Sequence, residues 1–148
     1  MTPTTEQQGS AAGMMEVAAA VITSGDLILA CQRRDGGTHP RKWEFPGGKR
    51  EEAETLEQCL HRELREELGI DAEVGAELWR TTHCYPGQQA VHIVFFHVPR
   101  YRGHLTNFVF ADIAWLRIGE FGQLDFLAAD RGFVEQLDRW RLDLFEDA

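Results

Sequence analysis

The sequence predicts an α/β domain in which strands and helices alternate on a mixed central sheet. Three observations carry that expectation. Two apolar, strand-like runs, Glu16 to Thr23 and Leu27 to Gln32, flank the turn Ser24-Gly25-Asp26. Leucines recur every fourth residue from Leu56 to Leu68, the period of an amphipathic helix. Val91 to Phe96 is apolar except for His92, as a central strand covered on both faces requires.

The elements follow in order. Met1 to Gly13 is rich in Thr, Gln, Ser, Ala and Gly and lacks an apolar period, which predicts a flexible tail ahead of a single domain over 14–148. The first two runs form a hairpin. Arg33 to Arg41 is polar, with Gly36-Gly37 and Pro40, and reads as a loop. Phe45-Pro46-Gly47-Gly48 reads as a second loop. Thr55 to Leu68 reads as a helix: Thr55 is the N-cap, Gln58 completes a capping box, and Gly69 is the stop. Ala72 to Thr81, Val91 to Val98 and Asp112 to Arg117 read as strands. Phe126 to Leu142 reads as a closing helix, with Trp79, Trp115 and Trp140 assigned to the core.

Composition narrows the function. The chain has 148 residues, 43% hydrophobic and 26% charged, the values of one globular domain. A net charge of −9 argues against binding duplex nucleic acid, which needs a Lys/Arg-rich surface. A polyanionic small substrate would then need bound cations. No apolar run approaches the roughly 20 residues of a membrane span. The first basic residue is Arg33, so no secretory leader is expected. Cys31, Cys59 and Cys84 form no CxxC pair, which predicts a reduced, cytoplasmic protein.

The chemistry concentrates on the leucine helix. Glu63, Glu66 and Glu67 stand at i, i+3 and i+4, within an arc of roughly 100°. Three carboxylates that close repel each other unless cations neutralise them. Glu63 and Glu67 flank the Leu60/Leu64 stripe and lean toward packed structure, whereas His61 and Arg65 are placed to face solvent. Clustered oxygen donors beside a wall suit Mg²⁺, which is shared with substrate phosphates. A solvated, salt-bridged helix with Arg62 and Arg65 as partners is the competing reading.

The surroundings decide between the two. Gly48 to Ile70 reads GKREEAETLEQCLHRELREELGI. This resembles the Nudix box, G-x5-E-x7-R-E-U-x-E-E-x-G-U with U a bulky aliphatic. Gly48, Glu54, Arg62, Glu63, Leu64, Glu66, Glu67, Gly69 and Ile70 fill every specified place. Seven fixed letters at roughly 5–8% usage give a chance match on the order of 10⁻⁸ per frame. Lys42 to Lys49, KWEFPGGK, is similar to the run before the box in MutT-type members.

The resemblance implies a Nudix α/β/α sandwich that hydrolyses a nucleoside diphosphate linked to another moiety. For MutT-type members it implies a nucleoside triphosphate as the small-molecule partner, cleaved to monophosphate and pyrophosphate by a monomer or homodimer. It implies Glu63, Glu66, Glu67 and the Gly48 carbonyl as ligands of Mg²⁺, with Mn²⁺ able to substitute. Such ions clamp phosphate oxygens and acidify the attacking water. Arg62 is expected to orient a glutamate, Glu54 to anchor the loop to the helix, and Glu63 or an acid outside the helix to serve as base.

One position departs from the pattern. MutT-type enzymes usually carry a further glutamate that aligns with residues 109–111, and this chain has Val109-Phe110-Ala111 followed by Asp112. A catalytically weak nucleotide-binding module is therefore a competing reading.

Substrate-contacting candidates are Arg33, Glu44, Phe45, Gly47, Gly48 and Asp130. Arg33 corresponds by resemblance to a phosphate-contacting arginine, and Phe45 is equally placed for the core. Asp130 stands where MutT has the Asn that reads the purine edge, and it is equally suited to capping the last helix. Ionised Asp only accepts hydrogen bonds, which suits bases presenting donors. The leading substrate is 8-oxo-dGTP, removed from the nucleotide pool; CTP or a modified-pyrimidine nucleotide is the alternative. His83 and Cys84 are rim candidates.

Overall fold

The computed structural model describes residues 14–146, with side chains described for all but 138 and 140–146. The tail expectation for 1–13 and the core assignment of Trp140 lie outside that set. The strands are β1 (Met14–Ser24), β2 (Leu27–Gln32), β3 (Trp43–Glu44), β4 (Gly47–Lys49), β5 (Asp71–Glu73), β6 (Glu77–His83), β7 (Ala90–Val98), β8 (Arg100–Arg102) and β9 (Asp112–Leu116). The helices are α1 (Leu56–Leu68) and α2 (Ala128–Glu146), with a 3₁₀ turn at Ile118–Gln123.

The sheet is mixed, as expected. Its path runs β3-β2-β1-β7-β6, with β4 paired to β1 and β9 to β2. β1 and β7 are parallel, from Met14↔Ala90 to Ile22↔Val98, and the other pairs are antiparallel. β7 is interior, and its side chains alternate between two cores. Val94 and Phe96 join Leu60, Leu64 and Leu68 of α1 on one face; Ile93 and Phe95 join Phe126, Phe133 and Leu137 on the other. Leu60, Leu64 and Leu68 are fully buried, so the four-residue repeat is what seats α1 on the sheet. The two histidines of β7 face opposite sides: His97 meets Thr23 Oγ1 at 2.9 Å and His92 meets Thr82 Oγ1 at 3.0 Å.

The ends of α1 form as the sequence predicts. Thr55 Oγ1 accepts from the Gln58 amide (3.0 Å) and Gln58 Oε1 from the Thr55 amide (2.8 Å). Gly69 takes φ 70° and donates to Arg65 O. That left-handed conformation is where glycine has no Cβ penalty.

Four expectations need correction. Gly47–Lys49 is a strand rather than loop, pairing Ala19↔Gly47 and Ala18↔Gly48. At Gly47, φ is 149° and a Cβ would overlap the Ala18 carbonyl, so only glycine allows the pairing. Ala72 to Thr81 is not one strand: β5 pairs β8 in a separate ribbon, and β6 pairs β7. The chain changes partner at Gly75, whose amide donates to His97 O at 2.7 Å. β8 and the 3₁₀ turn have no strong local period and were not expected. Finally, α2 starts at Ala128, because Phe126 makes an isolated bridge to Trp43.

That bridge belongs to a longer seam. Trp43 N donates to Asp125 O and Leu127 N to Trp43 O, both at 2.9 Å. Lys42 Nζ reaches both Asp125 carboxylate oxygens at 2.9 and 2.8 Å. α2 also docks through Gly132, where a Cβ would press into the Trp79 ring. Trp115 packs partly buried against the α1-side core. Cys31, Cys59 and Cys84 are free. No helix among the described residues is long and apolar enough to cross a membrane.

Candidate active site

α1, β4 and β3 bring acids and glycines together. β4 is pinned to β1, so Gly48 lies flat against α1, and a Cβ on it would overlap the Glu63 carboxyl. One turn on, Glu67 Oε1 accepts from the Gly47 amide at 3.2 Å. The two carboxyls touch through a hydrogen bond. Burial, then the Glu63 charge, then the Glu44 charge push Glu67 up to about 9, so it is protonated at neutral pH. Burial raises Glu63 as well, against the pull of Arg62.

Arg62 organises this end. Its Nη2 and Nε donate to the two Glu54 oxygens at 2.7 and 3.1 Å, and its Nη1 donates to Glu63 Oε2 at 3.1 Å. Nη2 also reaches Lys49 O, tying the helix to β4 at 3.2 Å. Glu54 in turn accepts from the Glu51 amide at 2.8 Å. The Arg62 hydrogen bonds hold the Glu54 carboxyl down to about 2. The Cys59 thiol donates to the Gly48 carbonyl at 3.4 Å.

Glu66 does not join the pair. Its side chain is 60% exposed and meets Arg62 Nη1 at 3.5 Å. At 100° per residue it falls on the far side of Glu63 from Glu67. Among the described residues no three His, Cys, Asp or Glu side chains already surround a point that could hold an ion. Two packed carboxyls and a backbone carbonyl are nonetheless hard oxygen donors, and a repelling pair that retains a proton is what a divalent cation relieves.

A cleft runs from this end to the start of α2. Gly47, Gly48 and Glu67 line it at β4 and α1, Asp130 and Tyr85 at the start of α2, and Glu44 is part of the same lining. Arg33 lies between, donating to Glu44 Oε1, Thr38 O and Thr38 Oγ1, each at 3.0 Å. Glu44 is raised by burial, with Arg33 opposing, and is the carboxylate outside α1 whose charge reaches Glu67. Asp130 Oδ2 accepts from the Phe45 amide at 3.2 Å. Burial first, then the Glu44 charge, push the Asp130 carboxyl up to about 8. The expectation of an ionised, accept-only Asp130 is thereby corrected: below that value its O–H also donates, as an Asn would.

The Phe45 amide holds Asp130, and its side chain packs in the core beside the cleft. The ring is 4% exposed and packs within 5.2–5.8 Å of Phe95, Phe121, Phe126 and Phe133. Asp112 stays outside the cleft, exposed, with its Oδ1 accepting from the Ile113 amide at 2.8 Å. Neither His83 nor Cys84 lines the cleft; Tyr85 does. Its ring packs on His39 at 4.5 Å and His83 at 4.4 Å, and its hydroxyl accepts from the Ala129 amide at 3.1 Å. Sequence reading missed Tyr85 and His39. The one signal for them is an aromatic beside Pro86-Gly87 in a loop.

Residues 14–137 match the NUDIX domain family. The chain is 37% identical to the CTP pyrophosphohydrolase of Escherichia coli (strain K12) over 122 residues, 82% of this chain and 90% of that protein. It is 45% identical to the 8-oxo-dGTP diphosphatase of Proteus vulgaris over 65 residues, 44% of this chain and 57% of that protein. The solution structure of the E. coli ORF135 protein superposes with a TM-score of 0.78 at 36% identity, covering 86% of this chain and 91% of that one. The match spans both cores and every element that lines the cleft: the chain belongs to the Nudix family and is a Nudix hydrolase.

Proposed function

We propose that the protein hydrolyses a (deoxy)nucleoside triphosphate to the monophosphate and pyrophosphate. The observation that carries this is the cleft that joins Glu67 and Gly48, with the Glu63 carboxyl packed against Gly48, to a buried polar group, Asp130, suited to reading a base. In this reading Glu63, Glu67 and the Gly48 carbonyl would hold Mg²⁺ or Mn²⁺, with Glu66 as the further acid of the same helix. An ion held there would supply polarisation of the phosphate oxygens and a lowered pKa for bound water. Arg62 holds the Glu63 carboxyl by a hydrogen bond at 3.1 Å, and Glu63 would take the proton of the attacking water. The water oxygen bonds to phosphorus as the bridge between the α- and β-phosphates breaks.

A neutral Asp130 offers one donor beside one acceptor. That pattern complements the N7–H and O6 edge of 8-oxoguanine, which favours 8-oxo-dGTP and a role in cleaning the nucleotide pool. It also complements the N4 amine and N3 of cytosine. This second reading, CTP or a modified-pyrimidine nucleotide, has the support of the CTP pyrophosphohydrolase that matches 82% of the chain. A metal-dependent release of pyrophosphate, measured over a panel of nucleoside triphosphates with Mg²⁺ and beside a Glu67→Gln control, tests both. Release from oxidised dGTP or from CTP that disappears in the control is the expected result. Nucleotide binding without release on any substrate would instead support a binding module.

A further inference from the structure

A second hollow opens on the other side of Glu67. It shares Arg33, Thr38, Glu44 and Glu67 with the cleft and extends it toward Arg34 and Val109. Its wall on the loop before β9 is apolar, formed by Val109 and Phe110. Residues 107–111 contain no carboxylate to repel an anion.

The cations around the two hollows are mostly spoken for. Arg33 is paired to Glu44, Arg41 to Asp35, Lys42 to Asp125, and Arg62 to Glu54 and Glu63. Arg34 is exposed and, among the described residues, has no ion pair or hydrogen bond. It is the unpartnered guanidinium of the second hollow. Of the three carboxylates in that lining, Asp35 is paired with Arg41 and Glu44 with Arg33, and Glu67 accepts from the Gly47 amide. A planar fork of donors facing an acid-free wall is a seat for a phosphate.

Resting on the triphosphate reading above, we propose that Arg34 binds the terminal phosphate of the substrate in this second hollow and so selects triphosphates over diphosphates. With the nucleoside in the first cleft and the scissile region beside Glu67, the rest of the phosphate chain continues into the space that Arg34 borders. Arg34 acts by binding, not on the bond that breaks.

Two assays on wild type, Arg34→Ala and Arg34→Lys test this. Titration calorimetry with inorganic pyrophosphate and Mg²⁺ needs no turnover. Arg34→Ala should bind pyrophosphate about ten- to a hundredfold more weakly, the loss expected for one charge-assisted contact, with Arg34→Lys between the two. Affinity for a nucleoside monophosphate should be common to all three. In the turnover assay, the kcat/KM ratio of the best triphosphate to its diphosphate should fall at least tenfold in Arg34→Ala. Unchanged pyrophosphate affinity, no pyrophosphate binding by wild type, or equal loss on tri- and diphosphate would each overturn the assignment. If wild type hydrolyses no nucleotide, the triphosphate reading fails, and the Arg34 assignment is still decided by the titration.

Discussion

Arg62 grips Glu54 through two parallel hydrogen bonds, at 2.7 and 3.1 Å, while its third nitrogen holds Glu63. The residue that steadies the loop before the helix is thus the one that orients the carboxyl packed against Gly48. Lysine has a single charged nitrogen and cannot make that fork. Arg62→Lys should therefore keep the fold but lower kcat by about tenfold to a hundredfold, with KM little changed. Steady-state kinetics beside a thermal melt separates this from unfolding; a loss in Tm alone would count against it.

Glu54 gives a pH test of the same contact. Its carboxyl is held at about 2, below the ordinary carboxylate value near 4.5. A depressed acid stabilises the fold above its unfolded pKa, and that contribution is lost as pH falls from about 4.5 through about 2. Wild type should exceed Glu54→Gln in Tm at pH 7, with the gap closing across that window. A gap that stays constant down to pH 2 would refute the assignment.

Glu67 has the opposite sign. Its raised value of about 9 means the metal-free fold holds a proton there that a cation must displace. Mn²⁺ affinity, followed by electron paramagnetic resonance, should rise up to about tenfold per pH unit between pH 7 and 9. Glu67→Gln should flatten that slope. Without metal, the Glu67 contribution to stability is fully present below about 4.5 and is lost as pH rises toward and through 9.

Gly47 and Gly48 are adjacent, yet their substitutions should fail differently. A Cβ at Gly47 meets the Ala18 backbone at positive φ, so Gly47→Ala should cost the fold about 2–4 kcal/mol. The nearest atoms that a Cβ at Gly48 would meet belong to the Glu63 side chain, which can swing aside. Gly48→Ala should therefore melt near wild type and lose about a hundredfold in kcat, because the carboxyl has moved. Chemical denaturation and kinetics on both variants check the contrast.

Asp130 predicts a pH-dependent selectivity. As its carboxyl ionises near pH 8 it loses its donor. Preference for the best base should fall between pH 7 and 9 in wild type and stay level in Asp130→Asn. Asp130→Leu should lose about tenfold or more in selectivity at every pH.

The contrast between what was legible in the sequence and what was not follows the range of the forces involved. α1 was legible because its leucine repeat, capping box and stop glycine are local. The Nudix box carried the carboxylate end of the cleft for the same reason. Glycine-rich β4 was read as loop, since pairing with β1 is decided by the close approach of Ala18, not by propensity. The break at Gly75 depends on His97, 22 residues away. Tyr85 and His39 meet only when two loops fold over the cleft. The protonation of Asp130 comes from burial under residues 85 positions earlier, which no motif encodes.

The seam between β3 and the start of α2 sets an order of assembly. Phe45 and Asp130 are joined across 85 positions, and Trp43 is stitched to Asp125 and Leu127. Contacts that distant form late, because the intervening chain must first be ordered. As the polypeptide leaves the ribosome, Gly48, Glu63 and Glu67 are all synthesised more than sixty residues before Asp130. The emerging protein therefore gains the carboxylates of α1 first and the buried Asp130 last.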